Sequence, residues 1–173
     1  NALLKIIEEP TQKNYFFLIN NKSKPLLKTI ESRALEFKII LTEIQRLEII
    51  ENLRNYFEFE LFLDIKSSQL TPGNFVKFNF ICKEFNIFPT DDYVKNLSIL
   101  LSLYKKNNDL LFINLAFFIA DYYLKHLKKN NSLKKDNIYE IQNYIFKNIN
   151  NFIQYNISQN SLITSVNEKL NYE

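Results

Sequence analysis

The stretch NALLKIIEEPTQKNYFFLINNKSKPLLKTIESRALEF, residues 1–37, decides the fold. It opens with an apolar helical pattern, which Pro10 should end because proline disfavours helical geometry in the residue before it. The run YFFLI at 15–19 is continuously apolar and bounded by asparagines, which is typical of a strand buried on both faces of a parallel sheet. A second run, LEFKII at 35–40, alternates at first and predicts a neighbouring or edge strand, with one or two helical turns at 25–30 before it. The chain therefore begins with a remnant of an α/β layer that has about two strands.

Beyond this tract the apolar period becomes that of a helix. Thr71-Pro72 predicts a helix start, with threonine as the cap and proline at the first helical position. The segment NIFPT at 86–90 is interpreted as a linker in which Thr90 caps the next helix. The helix at 110–128 is apolar around most of its circumference and should be central. The predicted fold class is mainly α, with helices at 42–57, 71–85, 90–106, 110–128, 136–155 and 161–170.

Composition narrows the class of protein. Hydrophobic residues make up 46% and aromatic residues 15% of the chain, which is ample material for a buried core. Gly73 is the only glycine, so a glycine-rich phosphate loop cannot be built here. Cys82 is the only cysteine, which excludes a disulfide framework, and no apolar run long enough to span a bilayer is expected. These features predict a cytoplasmic protein with no membrane contact, and the formal net charge of +3 permits a nucleic-acid partner without requiring one.

Residues for independent catalysis are sparse. His126 is the only histidine, so a metal site of the usual His and Cys spacing is not expected. A nucleophilic dyad of Cys82 with His126 would rest on nothing but their presence. Helix capping and solvation explain the paired carboxylates, which are Glu8-Glu9, Glu58 with Glu60, and Asp91-Asp92. The lysine pairs at 128–129 and 134–135 flank a loop and are interpreted as solvated, although they could contact DNA or a partner.

The order of elements within residues 1–37 resembles the AAA+ module of bacterial clamp-loader subunits of DNA polymerase III. In that family a helix ending Glu-Glu-Pro leads into the sensor-1 strand and then into a Ser-Arg-Cys motif, and here the same order ends in Ser32-Arg33-Ala34. The resemblance implies three parts: the end of an AAA+ core at 1–41, a small helical lid at 42–87, and an all-helical collar for oligomerisation at 88–173. It also implies that the sequence starts inside a longer protein.

The resemblance assigns roles to particular residues. Arg33, preceded by Ser32, matches the arginine finger that reaches the ATP site of an adjacent subunit, and alanine instead of cysteine at position 34 should preserve its placement. The sensor-1 position falls on Asn20 or Asn21, which are also ordinary turn residues.

The step Thr71-Pro72-Gly73-Asn74 resembles the lid's Ser-Pro-Gly-Arg, with Asn74 in place of the sensor-2 arginine. A neutral amide cannot neutralise a triphosphate, so the subunit should not sense its own nucleotide. This departure, together with the absence of the gamma or tau lid string Gly-Ser-Leu-Arg-Asp-Ala, favours the delta-prime type of the family.

The resemblance implies a role in assembly rather than a catalytic site in this chain. No cofactor is expected here, because ATP would be bound by neighbouring subunits. The implied partners are the gamma or tau and delta subunits and, through the complex, the sliding clamp and primed DNA. The whole complex belongs to the DNA polymerase III holoenzyme, a DNA-directed nucleotidyltransferase. An alternative stays open: a helical protein-interaction module that retains a degenerate AAA+ remnant and has no role in ATP turnover.

Overall fold

A computed structural model describes residues 14–20, 25–65, 68, 70–129 and 135–171. The chain divides into two compact units, Asn1–Thr42 and Glu43–Glu173, and each is described by itself. The predicted helix before Pro10 lies outside the described residues. Over the described ranges the helices are α1 (Lys28–Glu31), α2 (Glu43–Phe57), α3 (Pro72–Glu84), α4 (Tyr93–Asn107), α5 (Leu110–Lys129), α6 (Lys135–Tyr155) and α7 (Gln159–Asn171).

The mainly α class is confirmed, whereas the two predicted strands are not formed. Residues 15–19 and 35–40 have no strand structure, and their side chains are exposed, with Phe17 at 91% and Ile39 at 88%. A parallel strand is stable when neighbouring strands form hydrogen bonds with its backbone and other layers of the structure cover both of its faces. Within the described residues of the first unit neither segment is paired, so the apolar pattern alone does not produce a strand.

The predicted turn at 25–30 is present in the first unit as the single-turn helix α1. Leu27 precedes this helix in an extended conformation, and Ser32 ends it. The backbone nitrogen of Ser32 donates to the carbonyl of Lys28 at 3.0 Å, and that of Arg33 donates to Ile30 at 3.0 Å. The end of α1 therefore places Ser32 and Arg33 at the carboxyl end of a helical turn.

Four helices of the second unit pack in a closed order. Helix α4 packs on α5, α5 on α6, α6 on α7, and α7 again on α4. Helices α2 and α3 pack on each other. One apolar cluster runs from Ile50 on α2 to Val166 on α7, so the described part of the second unit shares one core. The division into a lid at 42–87 and a collar at 88–173 stays a prediction.

Helix α5 is central, as its apolar circumference predicts. It buries Phe112, Ile113, Leu115, Ala116, Ile119, Ala120 and Leu124. By length and composition alone it could also cross a membrane, contrary to the expectation that the chain has no such run. Its burial between α4 and α6 explains the apolar composition, because a helix that is apolar on most sides suits the middle of a core.

The two predicted helix starts have different outcomes. Thr71 caps α3 as predicted: its hydroxyl accepts from the backbone nitrogen of Asn74 at 3.4 Å. The predicted cap of α4 is wrong, because Asp92 replaces Thr90 in that role. Its carboxylate accepts from the backbone nitrogens of Val94 at 2.9 Å and Lys95 at 3.4 Å. A carboxylate is the stronger cap because it adds negative charge at the positive end of the helix.

The segment between α3 and α4, predicted as a linker, is packed into the second unit. Ile87 is fully buried, and the ring of Phe88 stacks on that of Phe62 with centroids 5.3 Å apart. The side-chain amide of Asn96 donates to the carbonyl of Phe88 at 2.8 Å. This segment therefore contributes Ile87 to the core.

Glu58, which follows α2, has a left-handed backbone with φ of 49°. The other non-glycine residues with positive φ in the described ranges are all asparagines, which tolerate this region better. We expect the free energy of unfolding of the Glu58→Gly variant to be about 1 kcal/mol higher than that of the Glu58→Ala variant, because glycine has no Cβ to clash in this conformation. Urea denaturation of the whole chain measures the difference. Equal stability of the two variants would show that the backbone at position 58 is not strained.

Candidate arginine finger and sensor positions

Arg33 lies exposed at the carboxyl end of α1. Its guanidinium Nη1 donates to the carbonyl oxygen of Thr29 at 2.8 Å and to the hydroxyl Oγ of Ser32 at 3.3 Å. The same hydroxyl donates to the Thr29 carbonyl at 3.3 Å. The helix end carries partial negative charge on its carbonyls, which favours a cation at this position. The structure therefore brings Ser32 and Arg33 together in one small hydrogen-bonded group on the surface.

The two other arginines of the chain are each paired with a glutamate of their own helix. Arg46 is 8% exposed, and its guanidinium donates to both carboxylate oxygens of Glu43, at 3.0 and 2.6 Å. The hydrogen bond from Arg46 lowers the pKa of the Glu43 carboxyl, so the pair stays ionised at neutral pH. Arg54 forms a pair with Glu51 at 3.2 Å on the surface of the same helix. Arg46 is thus a core residue with a structural role, and its buried position makes it unsuited to binding a ligand.

The predicted sensor residues are distributed over both units. Asn20 is exposed and lies in an irregular part of the first unit, and Asn21 lies outside the described residues. Asn74 is exposed in the first turn of α3 in the second unit, where its backbone nitrogen is capped by Thr71. The roles of these asparagines stay predictions.

The buried reactive groups do not form an independent catalytic site. Burial raises the pKa of the Cys82 thiol to about 12, so it stays protonated and is a poor nucleophile. Burial also raises the pKa of Tyr93, whose hydroxyl donates to the carbonyl of Ala116 at 3.4 Å. Across the described ranges no group of His, Cys, Asp and Glu side chains is arranged to hold a metal ion. Cys82 and Tyr93 therefore have a structural role as residues of the core.

The buried polar residues were missed at the sequence level, and of these Arg46 and Asn79 have the most hydrogen bonds to the backbone. Arg46 also donates to the carbonyls of Ile65 at 3.0 Å and Leu70 at 3.3 Å, which ties the segment before α3 to α2. Asn79 on α3 accepts from the backbone nitrogen of Phe62 at 2.8 Å and donates to the carbonyl of Glu60. A signal existed for Arg46, because it lies one helical turn before the buried Ile50 and so on the apolar face of α2.

Comparison with known proteins shows what the chain, including the region around Arg33, is similar to. The family described as "DNA polymerase III, delta subunit" matches residues 1–42, the range that contains α1 and Arg33. The chain is 26% identical over 161 residues to the DNA polymerase III subunit delta' of Buchnera aphidicola subsp. Schizaphis graminum, over 88% of this chain and 49% of that protein. It is 27% identical over 177 residues to the same subunit of Buchnera aphidicola subsp. Acyrthosiphon pisum, over 96% of this chain and 51% of that protein.

The chain is delta-prime-like. The predicted resemblance to delta-prime is thus confirmed, and it extends beyond the matched residues 1–42 into the helices of the second unit. The chain spans about half the length of the curated relatives it matches. No solved structure gave a significant match to it.

Proposed function

We propose that the chain is part of a delta-prime-like subunit of the DNA polymerase III clamp loader, which helps to load the sliding clamp onto primed DNA during replication. The observation that carries this proposal is the similarity to two delta-prime subunits over 88% and 96% of the chain. The subunit acts in the cytoplasm and assembles with gamma or tau and delta. Contact with the clamp and DNA follows from membership of that complex.

Within the complex, Arg33 supplies a guanidinium in trans to the ATP site of a neighbouring gamma or tau subunit. During hydrolysis water bonds to the γ-phosphorus, the bond from that phosphorus to the bridging oxygen breaks, and ADP leaves with the electron pair. Negative charge on the transferring group is stabilised by a fixed positive charge with several N–H donors. The exposed position of Arg33 at the end of α1 supports this role, because a side chain that acts across a subunit boundary must be accessible.

The chain itself contributes no nucleotide site to this proposal. Gly73 is its only glycine, which leaves no material for a phosphate loop, and Asn74 replaces the arginine of the sensor-2 position. In this proposal ATP is bound by the neighbouring subunits. The share of the chain in catalysis is limited to Arg33 and the residues that position it.

The helices of the second unit provide the surface for assembly. Several large apolar side chains remain exposed there although a common core is present, and such side chains suit the surface of a permanent complex better than that of a monomer. They include Ile44 at 78%, Tyr56 at 80%, Phe80 at 42%, Tyr139 at 69% and Tyr155 at 72% exposure.

Capture of purified clamp-loader subunits by the immobilised chain tests the proposal. We expect gamma or tau to be retained, and an excess of the free chain to reduce the retained amount in proportion. Retention of unrelated proteins alone would favour the alternative of a helical interaction module with a degenerate AAA+ remnant. The exposed apolar side chains of the second unit are compatible with that alternative too, so the identity of the captured partner decides between the two.

A further inference from the structure

The Ser32 hydroxyl lies between the end of α1 and the guanidinium of Arg33. It donates its single proton to the carbonyl oxygen of Thr29 at 3.3 Å and accepts from Arg33 Nη1 at 3.3 Å. Nη1 also reaches the same carbonyl oxygen at 2.8 Å, which closes a triangle of three hydrogen bonds. A serine hydroxyl has one proton to donate and lone pairs to accept with, so both of its contacts are satisfied at the same time.

We propose that Ser32 is a positioning residue for Arg33, which sets the direction in which the guanidinium leaves the end of α1. The inference rests on the proposed function of Arg33 as a finger in trans. An arginine side chain on a surface has many rotamers, and ordering it at the moment of reaction opposes catalysis. A hydroxyl that restricts Nη1 before ATP binds to the neighbouring subunit reduces the conformational entropy that is lost at the moment of reaction.

The contacts to Thr29 and Ser32 both use Nη1 of the guanidinium. The group is planar and presents its donors as a rigid fork, so fixing Nη1 also fixes the plane in which the remaining donors lie. The carbonyl of Thr29 cannot fix this plane by itself, because a single hydrogen bond allows rotation about its axis. The second contact, to Ser32, removes that freedom.

The expected effect of Ser32→Ala is smaller than that of removing Arg33. One neutral acceptor of a charged donor at this distance contributes modestly, so the turnover number for ATP hydrolysis by the assembled loader should fall about 3- to 10-fold. The KM for ATP should not change, because the proposed role of Ser32 is to orient Arg33 and includes no contact with the nucleotide. Ser32→Thr keeps the hydroxyl and should restore most of the rate.

A double-mutant cycle in the reconstituted loader tests the inference. If Ser32 acts through Arg33, Ser32→Ala lowers hydrolysis in the wild-type background and has no further effect in the Arg33→Ala background. Gel filtration of each complex establishes that assembly is equal.

The outcomes separate the inference from the function on which it rests. A loss with Arg33→Ala but none with Ser32→Ala overturns the positioning role and leaves the arginine finger intact. Equal losses from Ser32→Ala in both backgrounds overturn it as well, because the serine would then act independently of Arg33. No loss with Arg33→Ala overturns both the finger and the positioning role.

Discussion

Replacing Arg46 by alanine is expected to lower the free energy of unfolding of the chain by about 3 kcal/mol. Arg46 is 8% exposed, and its guanidinium joins α2 to the segment before α3 through the carbonyls of Ile65 and Leu70. Its removal takes a donor from each of these partly buried carbonyls and leaves the Glu43 carboxylate without its counter-ion. The loss stays at the lower end for a buried ion pair because the Glu43 side chain is 61% exposed.

Arg54 offers a matched control on the same helix. It has the same spacing of three residues to its partner, Glu51, but its side chain is 41% exposed, and the two charged groups lie 3.2 Å apart at the surface. Solvent screens such a pair, so Arg54→Ala should cost less than about 1 kcal/mol. Urea denaturation of both variants gives the comparison. Similar losses would mean that burial and the two carbonyl contacts of Arg46 contribute nothing beyond an ordinary surface pair.

Helices of the second unit could be predicted from the sequence because their signals are local. The apolar period of α5 predicts both its extent and its central position, and Thr71-Pro72 marks the start of α3 within one residue. The start of α4 shows the limit of such reasoning. Thr90 and Asp92 are both acceptable caps, and the choice between them depends on where the packed turn at Phe88 delivers the backbone to the helix.

Features that depend on distant partners could not be predicted. The run at 15–19 has the composition of a buried strand, but a strand also requires neighbours that its own residues do not specify. The role of Arg46 depends on carbonyls 19 and 24 residues further along the chain. In the candidate site, the resemblance identified Ser32 and Arg33, whereas their joint contact with the Thr29 carbonyl follows from where α1 ends.

The second large effect concerns catalysis by the assembled complex. Arg33→Ala in the intact subunit should lower hydrolysis at the ATP site that faces it by about 10³-fold, the lower end for arginine fingers supplied in trans. Assembly should be unaffected, because Arg33 is exposed and removing it leaves the core intact. Arg33→Lys keeps the charge but loses the planar fork, so it should recover only part of the rate.

Arg54→Ala serves as the control for this prediction too. It removes an exposed arginine that is bonded to a residue of its own helix, as Arg33 is bonded at α1, but it lies in the second unit and has no proposed contact with ATP. Hydrolysis by a loader that contains Arg54→Ala should equal that of the wild type. A loss of similar size in both variants would indicate a general effect of removing surface charge.

Single-turnover ATP hydrolysis by the reconstituted loader, in the presence of clamp and primed DNA, tests the central claim most directly. With Arg33→Ala we expect the amplitude of the fast phase of hydrolysis to fall by the contribution of the ATP site that faces this subunit. The amount of bound ATP and the size of the complex should stay the same. An unchanged fast phase in a fully assembled complex would contradict the claim that this chain supplies an arginine to its neighbour's ATP.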